Sequence, residues 1–210
     1  MDIAIIGSGN VGGTIGRRWA AAGHTIRFGS RNPEGEAIQA LAAEIGENAS
    51  VMDIPAAANG AEVVVLATPW SATQEVVEAC GDLSGTILVD CTNPLKGDLS
   101  GLEVGTDTSG AETVQGWAPG ARVVKALNTT GSGNMANPTY GGERVSMFIC
   151  GDDADAKRVV TDLVAGLEFD VIDAGPLSAA RYLEPTAMLW IHLAYQQGLG
   201  PNIGFRLVTR

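Results

Sequence analysis

Short apolar runs alternate along the chain with stretches in which apolar residues recur every three to four positions, the helical period. Strands are predicted at residues 2–6, 24–28, 50–52, 63–67, 86–91 and 122–127. Helices are predicted between them at 11–22, 34–46 and 71–80. Gly23 closes the first helix, and Ile38, Leu41, Ala42 and Ile45 form one apolar face of the second. The run 63–67 is apolar throughout, as a strand covered on both faces requires. The segment 95–119 is polar and glycine-rich, a loop with a short helix near 111–117. Beyond it the pattern predicts a strand at 144–150, a helix at 154–166, a strand at 169–173, one long helix at 176–197 and an extended tail at 203–208.

Strand–helix repeats with short connections predict an α/β fold: a doubly wound, mostly parallel sheet with a small C-terminal helical segment. Right-handed crossovers then bring the loops after the first, fourth, fifth and sixth strands to one edge, where ligands bind. Residues 1–174 read as the sheet domain. Residues 175–210 read as a helix and tail that complete the site. The apolar members of the long helix (Leu183, Met188, Leu189, Trp190, Ile191, Leu193, Tyr195) lie nearly all round it, which predicts burial in a homodimer interface.

Charge narrows the function classes. Asp and Glu number 24 against 13 Lys and Arg, a formal charge of −11, which opposes nucleic-acid binding and any anionic surface. An anionic ligand must be held by a local site. No apolar run approaches a membrane span, and no basic segment precedes the first strand, so no membrane association or signal peptide is expected and the location is cytoplasmic. Cys80, Cys91 and Cys150 are odd in number and lack metal-ligand or redox spacing; they read as buried thiols, and no metal site is expected.

Gly7-Ser8-Gly9-Asn10-Val11-Gly12 is a GxGxxG motif placed directly after a strand and opening a helix, the context of a Rossmann dinucleotide loop. Gly7 serves the tight turn, Gly9 the approach of a pyrophosphate and Gly12 the packing of helix on strand. The second strand ends in Gly29-Ser30-Arg31, with no acid to accept from ribose hydroxyls. Ser30 can donate to a 2′-phosphate and Arg31 can fork onto it, which predicts NADP(H) over NAD(H). Thr68, Pro69, Trp70, Asn93, Pro94 and Asn128 follow the next three strands and are expected to line the ribose and nicotinamide. Capping and turn roles for the asparagines, and loop packing for Trp70, stand as the alternatives.

Acid–base groups are scarce on these loops. His24 falls on the far edge and His192 in the middle of the last helix; both read as structural. Lys125 lies inside the sixth strand, where it either reaches the site or forms a strand-face ion pair. No catalytic residue is assigned. Hydride transfer to a conjugated ring proceeds on positioning alone, whereas a carbonyl needs a proton donor, so a ring acceptor is favoured.

The chain resembles the coenzyme F420-dependent NADP oxidoreductase family. The similar features are the loop at Gly7, Gly29-Ser30-Arg31, Pro69-Trp70, Val123 to Asn128, Cys150-Gly151-Asp152-Asp153 and Asp173-Ala174-Gly175-Pro176-Leu177. The resemblance implies hydride transfer between NADPH and a deazaflavin stacked on the nicotinamide, with Ser30 and Arg31 on the 2′-phosphate. There are departures. A His is common in the deazaflavin enzymes where this chain has Asn128, and a Lys on the 2′-phosphate is replaced near Gly35. The cytosolic reductase domain of membrane ferric reductases is also similar; it works with flavin and carries Asn at the Asn128 position. NADP(H) therefore carries over, and coenzyme F420 and FMN or FAD both stand as the second substrate. Two other readings remain: a reductase of small carbonyls or imines with Lys125 or a Tyr as donor, and a non-catalytic NADP(H) sensor.

Overall fold

A computed structural model describes residues 1–210. Chain order is β1 (Asp2–Ile6), α1 (Asn10–Ala21), β2 (Thr25–Gly29), α2 (Glu36–Ile45), β3 (Ala49–Met52), α3 (Ile54–Ala58), β4 (Val63–Leu66), α4 (Trp70–Ala79) and β5 (Ile87–Asp90). Then come α5 (Gly110–Trp117), β6 (Arg122–Lys125), α6 (Ser132–Ala136), β7 (Thr139–Tyr140), β8 (Glu143–Arg144), β9 (Ser146–Gly151), α7 (Ala154–Ala165) and β10 (Asp170–Asp173). A 3-10 turn (Leu177–Ala179), α8 (Ala180–Ile191) and a π-type turn (His192–Gln196) close the chain.

The main sheet runs β10-β9-β6-β5-β4-β1-β2-β3. Its parallel part, read from β3 to β6, has the 3-2-1-4-5-6 order of the doubly wound dinucleotide fold. One core packs α1, α2 and α7 against one face through Ile3, Ile5, Trp19 and Val160. A second packs α3, α4 and α5 against the other through Ile6, Ile54, Val76 and Val114. The alternation along β1 sends Ile3 and Ile5 to the first core and Ala4 and Ile6 to the second, so the strand is apolar on both sides.

Register positions the working edge. Gly29 and Leu66 both pair with Ile6, Asp90 pairs with Leu66, and Lys125 pairs with Asp90. These residues form one row across five strands, and the loops that follow them leave together. The order reverses between β1 and β4, the switch point that opens a crevice.

Four differences from the sequence expectation have local causes. β9 runs antiparallel to β6 because the chain returns through the β7–β8 hairpin instead of a crossover helix. Gly141 and Gly142 turn that hairpin with φ of 58° and 87°, the two positive values a tight I′ turn needs. Helix α3 was absent from the expectation; its Asp53 cap accepts from the Ala56 amide at 2.9 Å, and a Pro stands in its first turn. The predicted single helix at 176–197 is three pieces. Pro185 lies inside α8, and beyond it the Gln197 amide bonds back five residues to the His192 carbonyl at 2.9 Å. The tail is held beside β9 by two bonds to Ser146, not by a strand ladder.

Candidate dinucleotide-binding site

The glycine loop shows which of its three glycines serve the protein. Gly7 has φ of 105°, and a Cβ there would meet the Ala67 carbonyl oxygen at 2.5 Å. A Cβ on Gly12 would lie 1.8 Å from the Gly7 carbonyl oxygen. Both glycines are required by the fold. Gly9 is not: its φ is −71°, open to any residue, and its Cβ direction meets nothing within 4 Å. The space beside Gly9 opens at the start of α1, whose first amides no side chain caps and whose first turn carries no acid. Orphan N–H groups and a positive dipole end favour an anion there. The chain therefore fits a pyrophosphate at the one glycine that its own packing does not explain.

Two cavities share Ala67, Thr68 and Pro69 and together form one cleft across the switch point. The inner lobe, about 240 Å³, is lined by Gly7, Ser8, Gly9, Ser30 and Arg31. The outer lobe, about 360 Å³, is lined by Val11, Trp70, Cys91, Asn93, Lys96 and Leu99, among others. Asn10 and Gly12 stand in α1 and line neither lobe, and neither do Pro94 and Asn128, both buried. Ser30 is engaged locally, its hydroxyl accepting from the Asn32 amide at 3.0 Å. Arg31 extends into solvent, with only an exposed Glu75 carboxylate 3.9 Å away. Its guanidinium is free to take a phosphate. The nearest acid after β3, Asp53, is spent as the cap of α3. Trp70 both lines the outer lobe and stacks on Trp117 at 5.4 Å, so the wall and packing roles coincide.

Asn93 and Asn128 form a reciprocal pair. Asn93 Nδ2 donates to the Asn128 carbonyl at 3.0 Å, which fixes Asn93 Oδ1 as the acceptor for Asn128 Nδ2, also at 3.0 Å. That leaves Asn128 Oδ1 buried without a donor. A buried acceptor left unpaired costs on the order of 1–3 kcal/mol, so this atom fits a group that brings an N–H or O–H. The preceding Leu127, buried, holds φ of 60°, an uncommon value for a branched residue and one that orients Asn128. The sequence carries no cue to that conformation.

Lys125 does not reach the cleft. Its Nζ donates to Asp90 Oδ2 at 2.9 Å and to the Thr92 carbonyl at 2.6 Å, and pairs with Glu184 Oε1 at 2.9 Å. The side chain is fully buried. Burial acts to lower its pKa, but the two carboxylates outweigh it and hold the ammonium above its ordinary value. The ion-pair alternative is the one realised. Sequence reasoning missed Glu184 altogether, because it sits among the apolar residues of α8. His192 is hydrogen-bonded to Gln196 and Gln197 on its own turn, and His24 lies beside the chain's amino group on the far edge. Burial pushes the thiols up, Cys80 to about 11 and Cys150 to about 12, with Cys91 higher still. No group of His, Cys, Asp and Glu has the arrangement of a metal site.

A doubly wound sheet with an uncapped glycine loop and a cationic second-strand tip defines a dinucleotide-dependent class of protein. Comparisons narrow it. A family model described as NADP oxidoreductase coenzyme F420-dependent matches residues 2–94. An F420-dependent NADP reductase of Methanocaldococcus jannaschii is 31% identical over 210 aligned residues, covering 92% of each chain. The metalloreductase STEAP3 of Rattus norvegicus is 29% identical over 183 residues; the match takes in 87% of this chain but only 35% of that relative's length. A solved Arthrobacter sp. FB24 protein, itself assigned by inference as an F420-dependent NADP reductase, superposes with a TM-score of 0.91 at 33% identity, covering 100% of both chains. The chain belongs to the coenzyme F420-dependent NADP oxidoreductase family and is an NADP-dependent oxidoreductase. No helix is long and apolar enough to cross a membrane.

Proposed function

We propose that this chain transfers a hydride between NADP(H) and a deazaflavin, coenzyme F420, or a flavin. The dinucleotide supplies the hydride carrier when bound. Gly7 to Gly12 hold its pyrophosphate on the α1 amides, and Ser30 and Arg31 hold the 2′-phosphate. Thr68, Pro69 and Trp70 follow the cleft to its nicotinamide end. The amide or a ribose hydroxyl at that end meets Asn93 on the cleft wall, with Asn128 paired behind it and Pro94 shaping the loop. The outer lobe takes the acceptor ring against Trp70 and Leu99.

The observation that carries the choice of acceptor is the saturation of Lys125. The ammonium buried near the reacting end is locked in the Asp90–Thr92–Glu184 network, the paired asparagines are neutral, and Lys96, which also lines the outer lobe, is solvent-exposed. Such a floor orients its ligands and excludes water but hands over no proton. A ring that delocalises the incoming electron pair suits it better than a carbonyl or imine does. The test mixes the purified chain and NADPH with F420, FMN, FAD and a set of carbonyls and imines. Rapid oxidation with F420 or a flavin supports the reading. Oxidation with carbonyls alone overturns it in favour of proton-coupled reduction, and tight NADPH binding without turnover on any acceptor favours a sensor.

The reading includes a homodimer in the cytoplasm. Its interface is the outer side of α8 and the following turn, where Tyr182, Leu189, Tyr195 and Leu199 are exposed. Trp190, expected in that interface, is instead covered by its own chain: it packs on Gly131, and its Nε1 donates to the Ile203 carbonyl at 2.8 Å. Sedimentation as a compact 21.6 kDa monomer at micromolar concentration contradicts the dimer.

A further inference from the structure

Beneath the outer lobe runs a buried ionic network to which the hydride-transfer reading gives no role beyond withholding a proton. Lys125 donates to Asp90 and to the Thr92 carbonyl and is ion-paired with Glu184. The second oxygen of Asp90, Oδ1, accepts from the Thr92 amide at 2.9 Å and the Thr92 hydroxyl at 2.7 Å. Glu184 Oε2 accepts from the Gly110 amide at 2.9 Å, and Oε1 accepts from the Ala111 amide at 3.1 Å. Those amides open α5, where an anion is favoured. Asp90, Lys125 and Glu184 are all 0% exposed.

Two carboxylates against one ammonium is a costly arrangement to bury. Apolar residues of similar volume often hold a fold as well or better. What the network does that packing does not is fix one residue of the cleft. The amide, carbonyl and hydroxyl of Thr92 are all bound within it. Thr92 lines the outer lobe and precedes Asn93, whose amide pairs with Asn128. Position is thus handed from α8 through Glu184, Lys125 and Thr92 to the asparagine pair. The glycine loop and Arg31, which follow β1 and β2, take no part in it.

We propose that Lys125 and Glu184 are positioning residues for the nicotinamide end of the bound dinucleotide. Through them the C-terminal segment, residues 175–210, sets the reacting end while the glycine loop and Arg31 independently hold the other. The inference rests on the NADP(H) reading of the cleft above. It assigns Glu184 a role that acts at one end of the ligand only, which separates it from a residue that merely stabilises the fold.

Two ligands read the two ends. NADP+ spans the cleft, and 2′,5′-ADP carries the adenosine and the 2′-phosphate without the nicotinamide. Dissociation constants for both are measured by calorimetry on the full chain, on Glu184→Gln and on Thr92→Val. The first variant removes a charge from the network, and the second removes only the hydroxyl bond to Asp90. Expected are an NADP+ affinity about tenfold weaker in Glu184→Gln and about threefold weaker in Thr92→Val, each with 2′,5′-ADP binding within about twofold of the unaltered chain. With saturating F420 or flavin, kcat falls in the same order. If Glu184→Gln does not fold, Thr92→Val decides by the same criterion. Equal weakening of both ligands, or of neither, overturns the positioning role. If 2′,5′-ADP fails to bind the unaltered chain, the NADP(H) reading of the cleft falls, and this inference with it.

Discussion

The two lobes of the cleft are built in different ways. The inner lobe uses backbone amides and an exposed guanidinium, from two short stretches of sequence at the ends of β1 and β2. The outer lobe rests on side chains from β5, β6 and α8 that are buried and bonded to one another. The inner lobe presents groups that its own packing leaves free. The outer lobe is built of groups that its own packing has used up, except Asn128 Oδ1. In the proposed function, recognition and positioning are thereby separated along one ligand.

Breaking the outer network produces the largest expected effect. Lys125→Met strands Asp90 and Glu184 as uncompensated buried charges. Removing one partner of such a group costs about 3–5 kcal/mol, read as a loss of unfolding free energy in urea. Unchanged stability would mean the network is not buried as described. The glycine loop offers a sharper contrast. Gly12→Ala drives a Cβ into the Gly7 carbonyl and is expected to destabilise by on the order of 3 kcal/mol. Gly9→Ser leaves the melting temperature the same or slightly higher, since Ser caps a helix well and nothing obstructs it. That same hydroxyl occupies the anion site, so binding of NADPH and NADH alike falls about 10- to 100-fold. A variant that melts normally and binds normally would remove the pyrophosphate from this loop.

The difference between the lobes also explains what could be read in advance. The parallel order, the glycine loop and the Ser30-Arg31 tip were legible because each is a local pattern: an apolar run, a spacing, a missing acid. Helix α3 and the β7–β8 turn left signals that went unused, Asp53 before Pro55 and the Gly141-Gly142 pair. The outer lobe was not legible in the same way. Lys125 and Glu184 lie 59 positions apart and meet only because β6 and α8 both pack against α5. No periodicity announces a carboxylate that is buried because it faces an ammonium. Asn93 and Asn128 were legible as loop polar residues, but their pairing and the positive φ of Leu127 follow from tertiary contacts.

Smaller effects concern pH. The Lys125 pKa is raised in the fold, so its electrostatic contribution is complete below the ordinary lysine value of about 10.4 and fades only as pH rises through the higher folded value. The buried thiols stay protonated below that range as well. None of these groups changes charge between about pH 6 and about pH 8.5, and single-turnover hydride transfer should be flat across that window. A bell-shaped profile abolished by changing Lys125 or one Tyr would point to proton-coupled reduction instead. The smallest effect lies on the acid side. The forked bond from Arg181, at 2.6 and 2.9 Å, holds Glu112 below the usual carboxylate range against a smaller opposing effect of burial. Its stabilising contribution is present above the ordinary value of about 4.3 and is lost as pH falls through the lower folded value. Arg181→Met should therefore lower stability slightly and evenly above about pH 4.3 and raise the acid unfolding midpoint, with the difference vanishing in strong acid.

If Ser30 and Arg31 hold the 2′-phosphate, the exposed tip of β2 selects the phosphorylated dinucleotide independently of the rest of the cleft. The ratio of NADH to NADPH dissociation constants, in the unaltered chain and in Arg31→Ala, decides this. One charge-assisted contact to the 2′-phosphate is worth about 1.5–3 kcal/mol, so NADPH should bind about 10- to 100-fold more tightly than NADH. Arg31→Ala should remove most of that ratio and leave NADH binding almost unchanged. Equal affinities for the two dinucleotides in the unaltered chain, or a ratio that survives the loss of Arg31, would contradict the account.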